Sequence, residues 1–228
     1  MSKETIVIID YGSGNLRSAA KAFEHVVANE ALDIDVRISG EAEDVLAADR
    51  LVLPGQGAFG DCLENLQNTE GMIEALNEAV LEKGKPFLGI CVGMQLLATK
   101  GLENGEHAGL DWVPGTVLAL KDRIQDKDLK IPHMGWNVLS TPNEGAQDNR
   151  HFVLRSTESS ETGAHHYYFV HSYMFECEYN HHILATAEYG TEFAAVVGRD
   201  NIVGVQFHPE KSQAAGLRLI SDFVHWKP

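Results

Sequence analysis

A cysteine flanked by small residues, and far downstream a histidine two places before a glutamate, supply the three functions that acyl transfer at sulfur needs. Cys91 stands in Gly89-Ile-Cys-Val-Gly-Met-Gln95, after the apolar run Pro86–Ile90 and at the opening of a helix-like segment. That spacing suits a nucleophile elbow, in which a strand turns sharply into a helix and small neighbours let the backbone through a strained turn. At the tip, the start of a helix favours negative charge on sulfur, and the backbone N–H of Val92 points where an oxyanion would form. His208, in Val205-Gln-Phe-His-Pro-Glu210, is the expected general base and later acid, with Glu210 orienting the imidazolium. Pro209 has a fixed φ and no N–H, so it ends a strand and turns both side chains to one face. A lone cysteine is more often a buried small hydrophobe; the elbow and His-Pro-Glu in one chain argue for chemistry instead.

These groups need a scaffold. Strand-like runs at Ile6–Ile9, Asp33–Ile38, Arg50–Leu53 and Pro86–Ile90 alternate with helical material at Arg17–Val27 and between Leu63 and Leu81. Alternation of this kind predicts an α/β fold with a mainly parallel central sheet flanked by helices, binding ligands beyond the carboxyl ends of its strands. After about Gly105 the pieces shorten, with strands expected at Gly115–Leu120, Tyr167–Val170, Ile183–Glu188, Phe193–Gly198 and Asn201–Phe207. Pro142–Gly145 and Arg199–Asn201 carry turn signals, and the polar stretch Pro142–His166 reads as a surface loop or short insertion. Gln213–His225 closes the chain as a helix with Leu217, Ile220, Phe223 and Val224 on one face.

The chain has 228 residues, enough for one α/β domain with a full core. Its net charge of −15, from 18 basic and 33 acidic residues, argues against broad binding to nucleic acid or an anionic membrane. Cys62, Cys91 and Cys177 are widely spaced and form no Cys-x-x-Cys pair, so a disulfide framework is not expected. The N-terminal apolar run stops at Asp10, too short for a signal peptide core or a membrane span. A cytoplasmic protein is the expectation.

The elbow and the His-Pro-Glu segment resemble those of the class I glutamine amidotransferases. The resemblance implies a flavodoxin-like amidotransferase domain over residues 1–228, hydrolysis of L-glutamine through a glutamyl thioester on Cys91, and no cofactor or metal. It also implies a substrate-binding role for Gln95, for Glu103, twelve residues after Cys91, and for the segment His171-Ser172-Tyr173. Pro54-Gly-Gln-Gly57 is similar to the family's oxyanion strand, so a backbone N–H of Gly55 or Gln56 would join that of Val92. Gln56 stands where valine is usual, and Val92 where leucine is. The segments Ile9–Leu16, Leu53–Phe59, Pro132–Asn137 and Tyr168–Tyr173 resemble the glutaminase subunits of imidazole glycerol phosphate synthases of histidine biosynthesis. That implies a heterodimer with a separate (β/α)8-barrel cyclase subunit that receives the ammonia. A barrel of about 250 residues has no room in this chain. The segment carrying His133, Met134, Trp136 and Asn137 puts an indole and a thioether beside the flexible Gly135, suited to that partner interface or to the mouth of an ammonia passage.

Other readings stay open at this level. Gly55-Gln-Gly-Ala-Phe-Gly60 matches a dinucleotide fingerprint with Glu74 downstream, but it lies on the third βα unit and leaves the triad unused. A cysteine hydrolase on a related scaffold is a second alternative, and an amidotransferase of another pathway a third. The doublets His165-His166 and His181-His182 read as polar surface, since adjacent side chains on an extended segment face opposite ways.

Overall fold

The computed structural model describes residues 3–126, 128–141, 151–157 and 165–228. Four apolar runs become the parallel strands β1 (Glu4–Ile9), β2 (Ile34–Ser39), β3 (Arg50–Gly55) and β4 (Phe87–Cys91). They are linked by helices α1 (Leu16–Asn29), α2 (Ala42–Ala47), α3 (Phe59–Asn68) and α4 (Met72–Leu76), the last continued by a π-helical turn over Asn77–Glu82. A one-turn helix, α5 (Val92–Gln95), follows β4. The second half adds the short strands β5 (Lys100–Gly101), β6 (His107–Ala108) and β7 (Gly115–Ala119), then β8 (His133–Val138), β9 (His166–His171) and β10 (Tyr173–Cys177). It ends with β11 (Ile183–Glu188), β12 (Glu192–Arg199), β13 (Ile202–Val205) and α6 (Gln213–His225).

The main sheet runs β11-β12-β13-β4-β3-β1-β2, parallel from β13 to β2 and antiparallel at the β12 and β11 edge. Every residue of β3, β4 and β13 is buried, as expected of central strands covered on both faces. Helices α1 and α6 pack together, Phe23 meeting Phe223 edge to face at 6.1 Å, while α2 packs with α4. Each fully buried phenylalanine contributes on the order of 1.5–3 kcal/mol. Two smaller sheets lie outside this layer, β10-β7-β5-β6 and the antiparallel pair β8-β9. Among the described residues no helix is long and apolar enough to cross a membrane.

The mainly parallel sheet and the shorter later strands agree with the sequence reading, and several details differ. The helical stretch begins at Phe59 rather than Leu63, stops at Asn68 and resumes at Met72 after Gly71, whose φ is +68°. Helix α2 and strands β8 and β10 had no counterpart in the reading. The expected loop Pro142–His166 contains a 3-10 helix at Phe152–Thr157 with Val153 and Leu154 buried against the core; the turn Pro142–Gly145 lies outside the described residues. On α6 the inward residues are Leu219, Ile220, Phe223 and Val224, with Leu217 only half-buried.

Candidate active site

Register alone brings the reactive segments together. Gly55 pairs with Cys91 across β3 and β4, and Val205 with Ile90 across β4 and β13, so three parallel strands end side by side at one edge. Cys91 adopts φ 56° and ψ −111°, a conformation that costs a non-glycine residue on the order of 1–3 kcal/mol and persists only when its surroundings enforce it. Here they do: a Cβ on Gly93 would sit 1.8 Å from the Leu53 carbonyl oxygen, and one on Gly55 2.5 Å from the Gly93 nitrogen. The glycines spaced around Cys91 therefore let β3 and the elbow close on each other. Gly55, the first residue of the fingerprint-like stretch, is accounted for by the same contact. The helix-like segment after Cys91 is the single turn α5, whose dipole is too small to lend the sulfur much support.

The positive charge comes from His208 instead. Its Nδ1–H donates to Glu210 Oε1 at 2.8 Å, both side chains being almost wholly enclosed, and the Cys91 side chain lies close enough to the ring to favour its charged form. Burial works against an imidazolium, but the nearby Cys91 side chain and the bond and charge of Glu210 outweigh it, and the pKa is pushed up to about 9. At neutral pH His208 is thus protonated beside the Cys91 sulfur. Its backbone is tied down as well: the N–H donates to the Tyr168 carbonyl at 2.9 Å, and the Ser212 hydroxyl donates to the His208 carbonyl at 2.6 Å.

Cys91 opens onto a cavity of about 320 Å³ whose walls include Val92, Gln95, Glu103, His171, Ser172, Tyr173 and His208. All five residues expected to bind substrate are there. Gln95 is buried, and its Nε2 donates to the Tyr173 carbonyl at 3.3 Å and to Gln206 Oε1 at 3.0 Å. Glu103 Oε2 accepts the Phe59 N–H at 2.7 Å, capping the start of α3. Ser172 gives its carbonyl to the Leu120 N–H at 2.9 Å, and His171 is buried. Gln56 also lines the cavity, while its carbonyl is turned to the Ser13 hydroxyl at 2.7 Å and the Cys62 thiol at 3.2 Å.

The segment around Trp136 divides by strand parity. Met134 and Trp136 are 62% and 48% exposed, whereas His133 is 3% exposed and faces inward with Asn137, which bonds the Glu188 carbonyl. Of the two residues taken with them as interface, His133 is therefore buried and Asn137 half-buried, because alternate side chains of β8 point to opposite faces.

Gln206 was missed by the sequence reading. Its amide Nε2 lies 3.8 Å from Cys91 Sγ and its side chain is fully buried. A polar residue inside Val203–Phe207, two places before His208 and so on the same side of an extended chain, was the available signal. Pro132, Val170 and Lys211 also line the cavity. The histidine doublets lie elsewhere and differ from the reading in one respect: His182 is buried, since Asn180–His182 is a 3-10 turn rather than an extended segment. Among the described residues no cluster of three or more His, Cys, Asp or Glu could hold a metal ion.

Comparison with known proteins bears on this arrangement. The sequence model of "Glutamine amidotransferase class-I" matches residues 7–226. The chain is 51% identical to the imidazole glycerol phosphate synthase subunit HisH of Rhodospirillum rubrum, over 98% of this chain and 99% of that one. It is 48% identical to the protein of the same name from Rhodopseudomonas palustris, over 98% and 100%. A crystal structure of a glutamine amidotransferase superposes with a TM-score of 0.67 at 17% identity, over 96% of each chain, a likeness of fold alone. With its elbow, triad and full-length relatives accounted for, the chain belongs to the class-I glutamine amidotransferase family.

Proposed function

We propose that this chain, as a single domain over residues 1–228, is the glutaminase subunit of an imidazole glycerol phosphate synthase. The observation that carries the reading is the Cys91–His208–Glu210 array at the edge of a cavity sized for an amino acid. The Cys91 sulfur attacks the side-chain amide carbon of L-glutamine, and His208 holds the thiol's proton. The oxyanion is received by backbone N–H groups of Val92 and of Gly55 or Gln56. Collapse breaks the C–N bond as His208 protonates the departing nitrogen, releasing ammonia and leaving a glutamyl thioester. Water, deprotonated by His208, then releases glutamate and frees the Cys91 sulfur beside the reprotonated His208. Gln95, Glu103 and the wall His171–Tyr173 hold the amino-acid end of the substrate.

The ammonia passes to a separate (β/α)8 cyclase subunit, which forms imidazole glycerol phosphate and AICAR in histidine biosynthesis. Full-length identity near 50% to two HisH subunits supports this pathway over others. The outer face of the β8-β9 pair is the docking surface: Met134 and Trp136 stand beside Tyr168 and Val170, an apolar stripe that runs to the cavity mouth through Val170. Three unpaired cysteines suit a cytoplasmic setting.

The test is glutamate release from glutamine by the purified chain, alone and with the cyclase subunit and its nucleotide. Release that is weak alone and strong with both is expected, and no release in either case would refute the reading. Cys91→Ser should lower glutamine-dependent turnover by at least about 10³-fold while synthesis from added ammonia persists in the assembled enzyme; loss of both would contradict a divided mechanism.

A further inference from the structure

Two buried histidines remain to be explained. The mechanism above uses His171 only as part of a wall and His133 not at all, yet both are more than nine-tenths enclosed. The bonds that join them have a single direction. Two contacts fix the Asn137 amide: Val138 N–H donates to its Oδ1 at 2.8 Å, and its Nδ2 donates to the Glu188 carbonyl at 2.8 Å. The second N–H of that nitrogen faces His133 Nε2 at 3.5 Å, which calls for a lone pair there and puts the His133 proton on Nδ1. His133 Nδ1 lies 2.9 Å from His171 Nε2, so the His171 proton stands on Nδ1, where it is given to the Tyr173 carbonyl at 2.8 Å.

The far end demands the same assignment on its own account, because a carbonyl only accepts. Burial holds both rings near a pKa of about 4, so each carries one proton at neutral pH and every donor meets an acceptor. The chain continues past Tyr173. The carbonyl that receives His171 also receives Gln95, Gln95 meets Gln206, and Gln206 reaches Cys91 Sγ.

We propose that His133, which lines neither the cavity nor the triad, is a positioning residue for glutamine. Through His171 it fixes the Tyr173 carbonyl, and with it the Gln95 amide and the wall on which the amino-acid end of the substrate rests. The inference rests on the glutaminase reading. It sets the N–H of His133 apart from its ring, which also packs against Phe169 and Tyr189 at centroid distances of 5.1 and 4.1 Å.

The experiment separates those two contributions. His133→Phe keeps a ring and loses the donor; His133→Asn loses the ring but places an amide N–H near the Nδ1 position. With the cyclase subunit at saturation, so that changes in partner affinity do not enter, His133→Phe is expected to raise the KM for glutamine about ten-fold with kcat within about three-fold. His133→Asn should keep KM within about three-fold of the parent even where its melting temperature falls. An unchanged KM in His133→Phe, or equal impairment of both variants, would overturn the proposal. Long-range proton–nitrogen spectra of the histidine-labelled parent give a readout independent of glutamine. Nδ1–H tautomers at His133 and His171 are expected, and an Nε2–H tautomer at either overturns the relay. A parent chain inert toward glutamine would refute the glutaminase reading, and the spectra would still decide the relay.

Discussion

The cavity has two walls, built on different physical principles. One is made by the ends of β3, β4 and β13, where the elbow at Cys91 is fixed by backbone crowding that leaves no space for a Cβ at Gly55 or Gly93. The other is made by the junction of β9 and β10, where His171–Tyr173 are fixed by side-chain hydrogen bonds reaching back to β8. Histidine serves both walls in opposite states. His208 faces a carboxylate and the Cys91 sulfur and is held as a cation; His171 and His133 face a carbonyl and each other, and burial leaves them neutral. The contrast teaches that burial alone does not set the charge of a histidine: the nearest fixed partner does.

Breaking the crowded wall should have the largest effect. Gly93→Ala would force a methyl carbon to 1.8 Å from the Leu53 oxygen, an overlap that only backbone movement relieves. A loss of about 3 kcal/mol or more, or failure to accumulate folded protein, is expected, read from denaturant melts and soluble yield. A fully folded, active Gly93→Ala chain would show that the elbow and β3 have slack that their geometry denies.

Removing the partner of the charged histidine is the next step down. Glu210→Ala should lower glutamine turnover by about 10²–10³-fold in kcat, less than His208→Ala, because an orienting group matters less than the base it orients. Equal losses in the two variants would mean that Glu210 determines whether His208 functions at all. Trp136→Ala tests the outer side of the second wall. With the indole half exposed, the chain's own stability should barely change while affinity for the cyclase subunit falls about ten-fold or more. Undiminished affinity and coupling would move the docking surface elsewhere.

The first wall was far more legible in the sequence than the second. Cys91, Val92, His208 and Glu210 lie in contiguous motifs whose spacing reflects local backbone geometry, and the strands carrying them are uninterrupted apolar runs. Strand β8 inverts the usual pattern. Its inward positions, His133 and Asn137, are polar because hydrogen bonds satisfy them, while its outward positions, Met134, Trp136 and Val138, are apolar. Alternation read as apolar-inside therefore gives the wrong parity, and His133 looks like a surface residue. Gln206 escaped notice for a related reason: its amide is satisfied by Gln95, more than a hundred residues away in sequence, and no local pattern announces such a bond. The tie between Glu103 and the start of α3 spans 44 residues and is likewise invisible locally.

The smallest expected effect follows from the opposite charge states themselves. His208 has a folded-state pKa raised to about 9 from an ordinary 6.5, so its contribution to stability is complete below pH 6.5 and is lost as pH rises through 9. His133 and His171, lowered to about 4, contribute fully above pH 6.5 and lose that contribution as pH falls toward 4. Carboxylates, thiols and tyrosines titrate over the same ranges, so the informative quantity is the difference between the parent and a variant, taken as melting temperature across pH 4–9. His208→Gln should remove part of the alkaline decline and leave the acid limb unchanged; His133→Asn should do the reverse, each by a few degrees. A His208→Gln chain whose alkaline decline matched the parent's would mean that the imidazolium is not held by Glu210 and Cys91, and the two walls would no longer differ in the charge of their histidines.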